Sequence, residues 1–598
     1  MPEERNKIND SYKWDLTTIF KSEKEYDEVF NGVKKDLNKI SDYETSLMDN
    51  SKKLLEGLDL IYDISRNIEK LYTYSSLLHD EDTGNTKNQE RLGKIENLYN
   101  EFQKKTSFID PLLLKYDKSI IDSYLKEEKG LIKYKKNIEE IYRYKEHTLD
   151  EKSEKLLSTF SQIFGKAEET YSLLLDADMK YGNITNELGE EVELTDSNYA
   201  LFRISNDRRV RKDAFDKLYT VFSNFKNTIS STFQTQLLTE KTLSKTRKFN
   251  SCLEASLFSD EVNTSVYHNL IDTVSKNLKP LYRYYDEKRK MLNLDEIHMY
   301  DIYAKVIDDN SKKYSFDEAK QIVLKALSPL GENYIKDLNK AFDERWIDIY
   351  PNIGKRSGAY SGGCYDTNPF VLLNFQGTLN DVSTLAHELG HSMHSFYSRN
   401  NNEYPDSSYK IFVAEVASTV NELLLAHYML EHSDKKEEKL AILNELLELY
   451  KGTLYRQTMF AEFELKTHEL VEQGEVLTND VLCNLYYELN KKYFGDKVVS
   501  DDLIKFEWMK VPHFYYNFYV YKYATGISAA THIVKGILNK EDNALENYLK
   551  FLTLGGSLSP LEELKVAGVD LNKSEVIESA AYAFSKYLDD FVNIYNSK

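Results

Sequence analysis

The chain of 598 residues contains only three cysteines and nine prolines. Cys252, Cys364 and Cys483 are odd in number and widely separated, which argues against a disulfide framework and against a cysteine zinc site. We therefore expect a protein of the reducing cytoplasm. The scarcity of proline leaves long stretches of the chain free to form helices.

Long hydrophobic runs are missing as well. Residues 1–7 lack the apolar core of a secretory signal, and no apolar run approaches the length that spans a bilayer. Basic residues are fewer than acidic ones: 98 acidic and 78 basic residues give a formal net charge of −20. Nucleic-acid phosphates favour basic patches, so we expect neither a nucleic-acid partner nor a membrane partner. The oligomeric state cannot be predicted from these features.

The abundant lysine, glutamate and leucine instead predict a mostly α-helical protein. Residues 207–245 and 434–472 have the periodicity of amphipathic helices. Few stretches resemble strands: residues 182–194 predict a hairpin that turns at 186–189, and residues 370–375 predict a single strand. The turn-rich region 183–198 predicts a boundary between an amino-terminal helical domain, 1–195, and a catalytic domain, 196–598.

The most informative motif is His387-Glu388-Leu389-Gly390-His391. On an α-helix, residues i and i+4 share one face, so both imidazoles can reach one Zn²⁺ while Glu388 lies beside them as a general base for water. The motif therefore predicts a zinc peptidase. A buried helix with two hydrogen-bonded histidines is the structural alternative.

The neighbouring residues support a helix at this motif. Gly377, Thr378 and Asp381 provide turn and N-cap residues, and no proline interrupts residues 382–397. Gly390 lowers helix propensity by roughly 1 kcal/mol relative to alanine. A glycine at this position predicts that another group approaches the helix closely there.

A hydrolytic zinc site usually has three protein ligands and one water, so a third ligand is needed. Glu415 is a single carboxylate within an apolar run, where a metal would offset the cost of burying its charge. We predict Glu415 as this ligand and keep Glu422 as the rival. Ser418 and Glu422 lie on the same helical face as Glu415, where they can orient a liganding imidazole. His394 lies about 10 Å along the helix from His387, too far to share the ion.

Together these residues resemble the signature of the M3 zinc metallopeptidases, and more closely their oligoendopeptidase F group. The resemblance extends over nearly the whole chain, because further matching motifs occupy residues 13–20, 355–361 and 512–526. It implies an endopeptidase for short peptides. It also implies a mostly helical, zincin-like body with a deep channel, one zinc at the channel floor and a small β-sheet near the active site.

The same resemblance gives a role to the carboxyl-terminal aromatic motif. His513, Tyr516, Tyr519 and Tyr523 are spaced at i, i+3, i+6 and i+10, close to one helical face. Tyrosines at such spacing are usually core residues. M3 peptidases, however, place a histidine and tyrosines from a matching segment over the zinc, which implies that these side chains stabilise the oxyanion. Tyr519 ranks first among the three tyrosines.

The glycine-rich residues 357–363 are either a surface turn or a mobile loop that closes on a peptide. The predicted strand at 371–375 could pair with an extended substrate and read its backbone. Cys364 is expected near the rim of the active site, without a chemical role.

Two other functions remain possible at this point. A zinc carboxypeptidase on a similar helical scaffold would share the two-histidine motif. A helical binding protein without catalysis would leave Glu388 without a purpose.

Overall fold

The computed structural model describes residues 3–307 and 312–597, and most of them are helical. The α-helices are α1 Glu23–Asp36, α2 Ser51–Glu81, α3 Thr86–Thr106, α4 Ile109–Leu114, α5 Lys118–Glu127, α6 Lys135–Arg143, α7 Glu151–Phe164, α8 Lys166–Leu173, α9 Asp196–Phe202, α10 Arg208–Asn224, α11 Lys226–Thr246, α12 Cys252–Phe258, α13 Thr264–Lys276, α14 Lys279–Met291, α15 Phe316–Ala326, α16 Glu332–Asp343, α17 Leu379–Asn401, α18 Ile411–His432, α19 Lys436–Tyr450, α20 Gln457–Gln473, α21 Asn479–Phe494, α22 Tyr521–Leu538, α23 Ala544–Leu552, α24 Pro560–Val566 and α25 Ser574–Asn596. The mostly α-helical fold class is confirmed.

The strands are short and form three small sheets. They are β1 Asn183–Thr185, β2 Glu191–Glu193, β3 Ile297–His298, β4 Ile347–Asp348, β5 Tyr360–Gly362, β6 Phe370–Leu372 and β7 Val498–Val499. The antiparallel pair β1 and β2 is the predicted hairpin. Strands β3 and β7 pair in parallel. The third sheet has the order β4-β6-β5, with β6 parallel to β4 and antiparallel to β5.

The chain folds into two compact units, each built from segments that are separated in the sequence. The first contains residues 3–145, 312–429 and 533–568, and the second contains residues 146–307, 430–532 and 569–597. Both units therefore draw on the two predicted domains, 1–195 and 196–598, and that division of the sequence stays a prediction.

The first unit has a core that joins its amino-terminal helices to the small sheet. Trp14 is buried there, packs edge-on against Phe370 of β6 and donates a hydrogen bond to Glu81 at the end of α2. Burial of such large apolar side chains is the main stabilising contribution to this core. The three-stranded sheet is consequently held against helices α1 to α6.

Within the first unit, α17 and α18 cross at unusually short distance. A Cβ atom at Gly390 of α17 would lie 2.5 Å from the Cα of Ser418 and 2.7 Å from the carbonyl oxygen of Ala417, both in α18. The side-chain amide of Asn421 donates a hydrogen bond to the carbonyl of Ala386 at 3.0 Å across the same crossing. The close approach predicted from Gly390 is confirmed: the approaching group is the backbone of α18.

We expect Gly390→Ala to destabilise the protein, because the added methyl group forces the two helix backbones apart. Overpacking of this kind typically costs about 1–3 kcal/mol. Gly93 of α3 is a matched control, since a Cβ there meets nothing within 4 Å. Gly93→Ala should leave stability unchanged or raise it by up to about 1 kcal/mol through helix propensity. Thermal and urea unfolding of both variants measures the difference, and equal stability would contradict the packing account.

Candidate metal centre

Helix α17 begins with a capping box that sets the register of the histidine motif. The hydroxyl of Thr378 accepts a hydrogen bond from the backbone N–H of Asp381 at 3.1 Å, and the Asp381 carboxylate accepts from the N–H of Thr378 at 2.8 Å. Gly377 precedes the box with a φ of 80°, which favours glycine. The predicted helix start is therefore confirmed, and the helix runs without a break through His387 and His391.

Three candidate ligand atoms converge where α17 meets α18. His387 Nε2 and His391 Nε2 are 3.2 Å apart, and Glu415 Oε2 lies 3.5 Å from the first and 3.4 Å from the second. A tetrahedral zinc ion with ligand distances of about 2.0–2.1 Å requires its ligand atoms to be about 3.3 Å apart. Two imidazoles and one carboxylate in this spacing fit zinc, with one coordination position left for water.

Hydrogen bonds hold two of these side chains in place. Glu422 Oε1 lies 2.6 Å from His387 Nδ1, the ring nitrogen that does not face the cluster. The hydroxyl of Ser418 donates to Glu415 Oε2 at 3.0 Å. Ser418 thus orients the carboxylate, and not an imidazole as the sequence indicated. Glu422 contacts the outer nitrogen of His387, so the geometry groups Glu415, and not Glu422, with the two histidines.

The local charges shift the pKa values of this cluster strongly. Burial disfavours the charged form of His387, but the hydrogen bond and charge of Glu422 outweigh it and raise the pKa to about 9. Burial acts against the Glu415 carboxylate, yet His391 and His387 lower its pKa to about 2. A metal ligand must be an unprotonated imidazole, so metal binding at His387 has to displace this proton.

Glu388 follows His387 on α17 and interacts electrostatically with both histidines. Its side chain is buried, and burial raises its pKa above the usual range, opposed by the nearby histidines. A carboxylate whose pKa is raised accepts protons more readily near neutral pH, which suits a general base. The geometry therefore places a candidate base immediately next to the candidate ligands.

His394 takes no part in the three-atom cluster. Its ring is buried and stacks on Tyr409, with ring centroids 3.7 Å apart and planes within 3°. Burial lowers its pKa to about 3, so the ring is neutral. The prediction that His394 is too far along the helix to share the ion agrees with this placement.

The aromatic motif of the second unit is not the continuous helix that its spacing indicated. A 3₁₀ helix covers Pro512–Tyr515, α22 begins only at Tyr521, and Asn517 and Phe518 have φ values of 46° and 55°. Two successive residues in the left-handed region end any α-helix. The predicted helical face is therefore wrong.

The predicted clustering of the same side chains nevertheless occurs. The ring of His513 lies 5.6 Å from Tyr516, 5.9 Å from Tyr519 and 6.0 Å from Tyr523, measured between centroids. The Tyr523 hydroxyl is 3.4 Å from His513 Nε2. A turn, and not a helix face, brings the four rings together around His513.

The sheet next to α17 corrects a second expectation. Strand β6 contains Val371 but lies between β4 and β5, so both of its edges are already paired. Residues 371 and 372 of the predicted strand therefore cannot pair with an extended substrate. The outer edge of this sheet that adjoins the glycine-rich residues is β5, where Ser361 is hydrogen-bonded to Ser392 of α17 at 2.8 Å. Sequence reasoning missed Ser392, although it follows His391 directly.

The glycine-rich segment is tied down at both ends within the first unit. The side-chain amide of Asn374 donates to the carbonyls of Arg356 and Gly358. Arg399 of α17 donates to the carbonyl of Gly363 at 3.0 Å. Ser357 is exposed between the two carbonyls that Asn374 holds. Such an anchored segment with an exposed tip suits a loop of limited motion.

All three cysteines are free and buried. Burial raises the pKa of the Cys364 thiol, which makes it a poor nucleophile. Among the residues that the structure describes, no helix combines the length and the apolar character needed to cross a bilayer.

Comparison with known proteins gives consistent matches over the whole chain. The sequence profile of peptidase family M3 matches residues 201–582, and that of oligopeptidase F matches residues 113–181. The chain is 40% identical over 587 residues to oligopeptidase PepF of Bacillus subtilis, covering 98% of this chain and 88% of that protein. It is 39% identical over 594 residues to group B oligopeptidase PepB of Streptococcus agalactiae, covering 99% of each.

Solved structures agree with the sequence matches. The crystal structure of oligoendopeptidase F from Enterococcus faecium is 34% identical, with a TM-score of 0.75 over 96% of this chain and 100% of that chain. A crystal structure of a protein from Chlamydophila abortus is 38% identical, with a TM-score of 0.92 over 99% and 100% of the two chains. The chain therefore belongs to peptidase family M3 and is a metallopeptidase of the oligoendopeptidase F type.

Proposed function

We propose that the protein is a zinc-dependent endopeptidase that hydrolyses internal bonds of short, unfolded oligopeptides. The observation that carries the proposal is the convergence of His387 Nε2, His391 Nε2 and Glu415 Oε2 within 3.5 Å of one another. The names of the relatives, which describe oligopeptidases and oligoendopeptidases, support the substrate class.

The three side chains would hold one zinc ion per chain. Zinc in such a site supplies Lewis acidity and lowers the pKa of water. Side chains around the site orient the ligands. Glu422 keeps His387 in the tautomer that presents Nε2 to the cluster, and Ser418 fixes the Glu415 carboxylate.

Glu388 is the proposed general base. It would take the proton of the attacking water and pass it to the amine that leaves. Its buried position next to His387 and His391 supports this role, because burial raises its pKa towards neutrality.

His513 and Tyr519 are the proposed hydrogen-bond donors to the tetrahedral oxyanion, with Tyr516 and Tyr523 as further candidates. Support comes from the family resemblance and from the clustering of the rings around His513. The Lys522 ammonium lies 5.3 Å from the centroid of the Tyr519 ring and pairs with Asp260 at 2.6 Å, so it packs beside this phenol.

An extended peptide would bind by strand addition, and we assign this role to the outer edge of β5 instead of β6. Backbone hydrogen bonds at such an edge are indifferent to side chains, which would permit broad specificity. The Ser361 to Ser392 contact supports the assignment, because it ties this strand to the helix that carries His391.

Domain organisation and location complete the proposal. A boundary near residue 195 is supported by the two family profiles, which end at 181 and begin at 201. Three free, buried thiols suit the reducing conditions of a cytoplasm. We propose short peptides as the partners of this enzyme, and neither nucleic acid nor membrane.

Metal content tests the ligand assignment. We expect about one zinc per purified chain and loss of peptidase activity on chelation. Glu415→Ala should release zinc, because it removes a ligand. Glu422→Ala should weaken zinc binding by about 10–100-fold, the usual effect of losing a hydrogen-bond partner of a ligand. Elemental analysis with competitive zinc titration measures both variants. Wild-type zinc retention in Glu415→Ala, or full activity after complete metal removal, would contradict the assignment.

A separate substitution distinguishes the base from the ligands. Glu388→Gln keeps the shape of the side chain but cannot accept the proton, so turnover should fall by about 10²–10⁴-fold while zinc content is unchanged. Glu403→Gln is a control, because Glu403 is an exposed glutamate just beyond α17. Steady-state hydrolysis of a quenched fluorescent peptide gives the rates. Near-normal turnover in Glu388→Gln would show that another group activates the water.

Peptide products separate the endopeptidase from the carboxypeptidase alternative. A peptide blocked at both ends should be cut internally, because an endopeptidase needs no free terminal carboxylate. Intact casein should resist cleavage, since the channel that the family resemblance implies would exclude long chains even when they are unfolded. Mass spectrometry identifies the products. Removal of single carboxyl-terminal residues would favour the carboxypeptidase, and rapid fragmentation of casein would rule out the channel.

A further inference from the structure

The turn that separates the candidate tyrosines is held in an unfavourable backbone conformation. Asn517 and Phe518 both have positive φ, 46° and 55°, and neither is glycine. Left-handed backbone is costly for residues with a Cβ and persists only where surrounding contacts impose it. The residues on either side of this turn are Tyr516 and Tyr519, so the contacts that impose it also direct those two side chains.

A buried glutamate provides the most direct of these contacts. Glu464 of α20 is fully buried, and its Oε1 accepts a hydrogen bond from the backbone N–H of Phe518 at 2.6 Å. Its Oε2 is also buried and has no hydrogen-bond partner within residues 3–307 and 312–597. Burying a polar group costs free energy unless hydrogen bonds within the protein replace those it made to water. The bond to the Phe518 N–H is therefore the contact that this side chain contributes.

Two further contacts fix the same turn from other sides. The hydroxyl of Ser256 donates to the carbonyl oxygen of Asn517 at 2.7 Å. The Phe518 ring is fully buried, 5.5 Å from the ring of Tyr267 and 4.3 Å from that of His468. The turn is thus held at the N–H of Phe518, at the carbonyl of Asn517 and by the Phe518 side chain. Tyr516, by contrast, is 49% exposed and is not buried as the Phe518 ring is.

We propose that Glu464 is a positioning residue, which holds the Asn517–Phe518 turn and thereby directs Tyr516 and Tyr519 for the reaction. This inference rests on the proposed function of the tyrosines. Glu464 itself does not contact the substrate in this proposal. Its effect on the tyrosines passes through the backbone of the turn.

The protonation state of Glu464 makes the inference unusually testable. Burial raises its pKa to about 8, opposed by the nearby His468, which favours the neutral carboxyl group at neutral pH. A neutral carboxyl group and a glutamine amide have nearly the same shape, and both present a carbonyl oxygen to the Phe518 N–H. Glu464→Gln should therefore preserve the contact, whereas Glu464→Leu removes it.

Hydrogen exchange tests the anchor without reference to catalysis. In the full-length protein, we expect amide exchange in residues 513–520 to accelerate by about tenfold or more in Glu464→Leu, because the turn opens more often. Glu464→Gln should exchange like the wild type. Glu462→Leu is the matched control: Glu462 is also buried on α20, but it accepts hydrogen bonds from Lys492 and Tyr493. Unchanged exchange at 513–520 in Glu464→Leu would overturn the proposal.

Kinetics tests whether the anchor matters for the reaction. We expect kcat to fall by about 10–100-fold in Glu464→Leu, with KM changed much less and with kcat restored in Glu464→Gln. Because the effect passes through Tyr516 and Tyr519, adding Glu464→Leu to the double variant Tyr516→Phe/Tyr519→Phe should cost little more than that double variant alone. A full additional loss in the triple variant would show that Glu464 acts on general stability, which overturns the positioning role.

Two results separate this inference from the function it rests on. If Tyr516→Phe, Tyr519→Phe and Tyr523→Phe all keep wild-type kcat, the proposed role of the tyrosines fails and the positioning role fails with it. Exchange at 513–520 would still show whether Glu464 holds the turn. If Glu464→Leu does not fold, Glu464→Met removes the same acceptor and keeps more of the length of the side chain. It should raise exchange at 513–520 and lower kcat in the same direction, and wild-type values for both would overturn the proposal.

Discussion

The close crossing of α17 and α18 is the constraint on which the candidate metal centre depends. His387 and His391 lie on one helix and Glu415 on the other, so their ligand atoms meet only if the two backbones approach within a distance that excludes a Cβ at Gly390. The capping box at Thr378 and Asp381 sets the register of α17, and Asn421 bonds the two helices beside the motif. Helix packing, more than any single side chain, therefore places the ligands.

The electrostatics of the centre follow from that packing. Glu388, Glu415 and Glu422 surround two imidazoles in a half-buried site, in which Glu388 is buried and the other side chains are partly exposed. Gathering carboxylates away from bulk water is unfavourable unless positive charge offsets them. The proposed divalent cation would supply that charge where His387, His391 and Glu415 bring three donor atoms together. Glu422 and Ser418 have the complementary task of fixing the orientation of His387 and Glu415.

Local patterns in the sequence predicted the elements that depend on neighbouring residues. The spacing of His387 and His391, the capping residues before them and the β1–β2 hairpin all follow from short-range rules, and the structure has them. Glu415 was predicted as a ligand from its charge in an apolar run, which is also local information, and its carboxylate lies beside both histidines. Gly390 was correctly associated with a close approach, although the sequence could not reveal which backbone approaches.

Features that depend on distant contacts could not be predicted in this way. The central position of β6 is set by β4 and β5, which lie elsewhere in the chain, so the strand looked like a free edge. The helix expected through Tyr516 and Tyr519 is broken by a left-handed turn whose partners, Glu464 and Ser256, are 54 and 261 residues away from the atoms they bind. Ser418 lay on the predicted face but holds the carboxylate, because side-chain direction depends on the crossing geometry.

The ligand set is tested most directly by a crystal structure of the zinc-loaded protein, with anomalous data collected on both sides of the zinc absorption edge. The account predicts one anomalous peak per chain, bonded to His387 Nε2, His391 Nε2 and Glu415 Oε2 at about 2.0–2.2 Å, with Glu422 on His387 Nδ1 and not on the metal. A zinc peak that is bonded to Glu422, or that lies away from the crossing of α17 and α18, would contradict it.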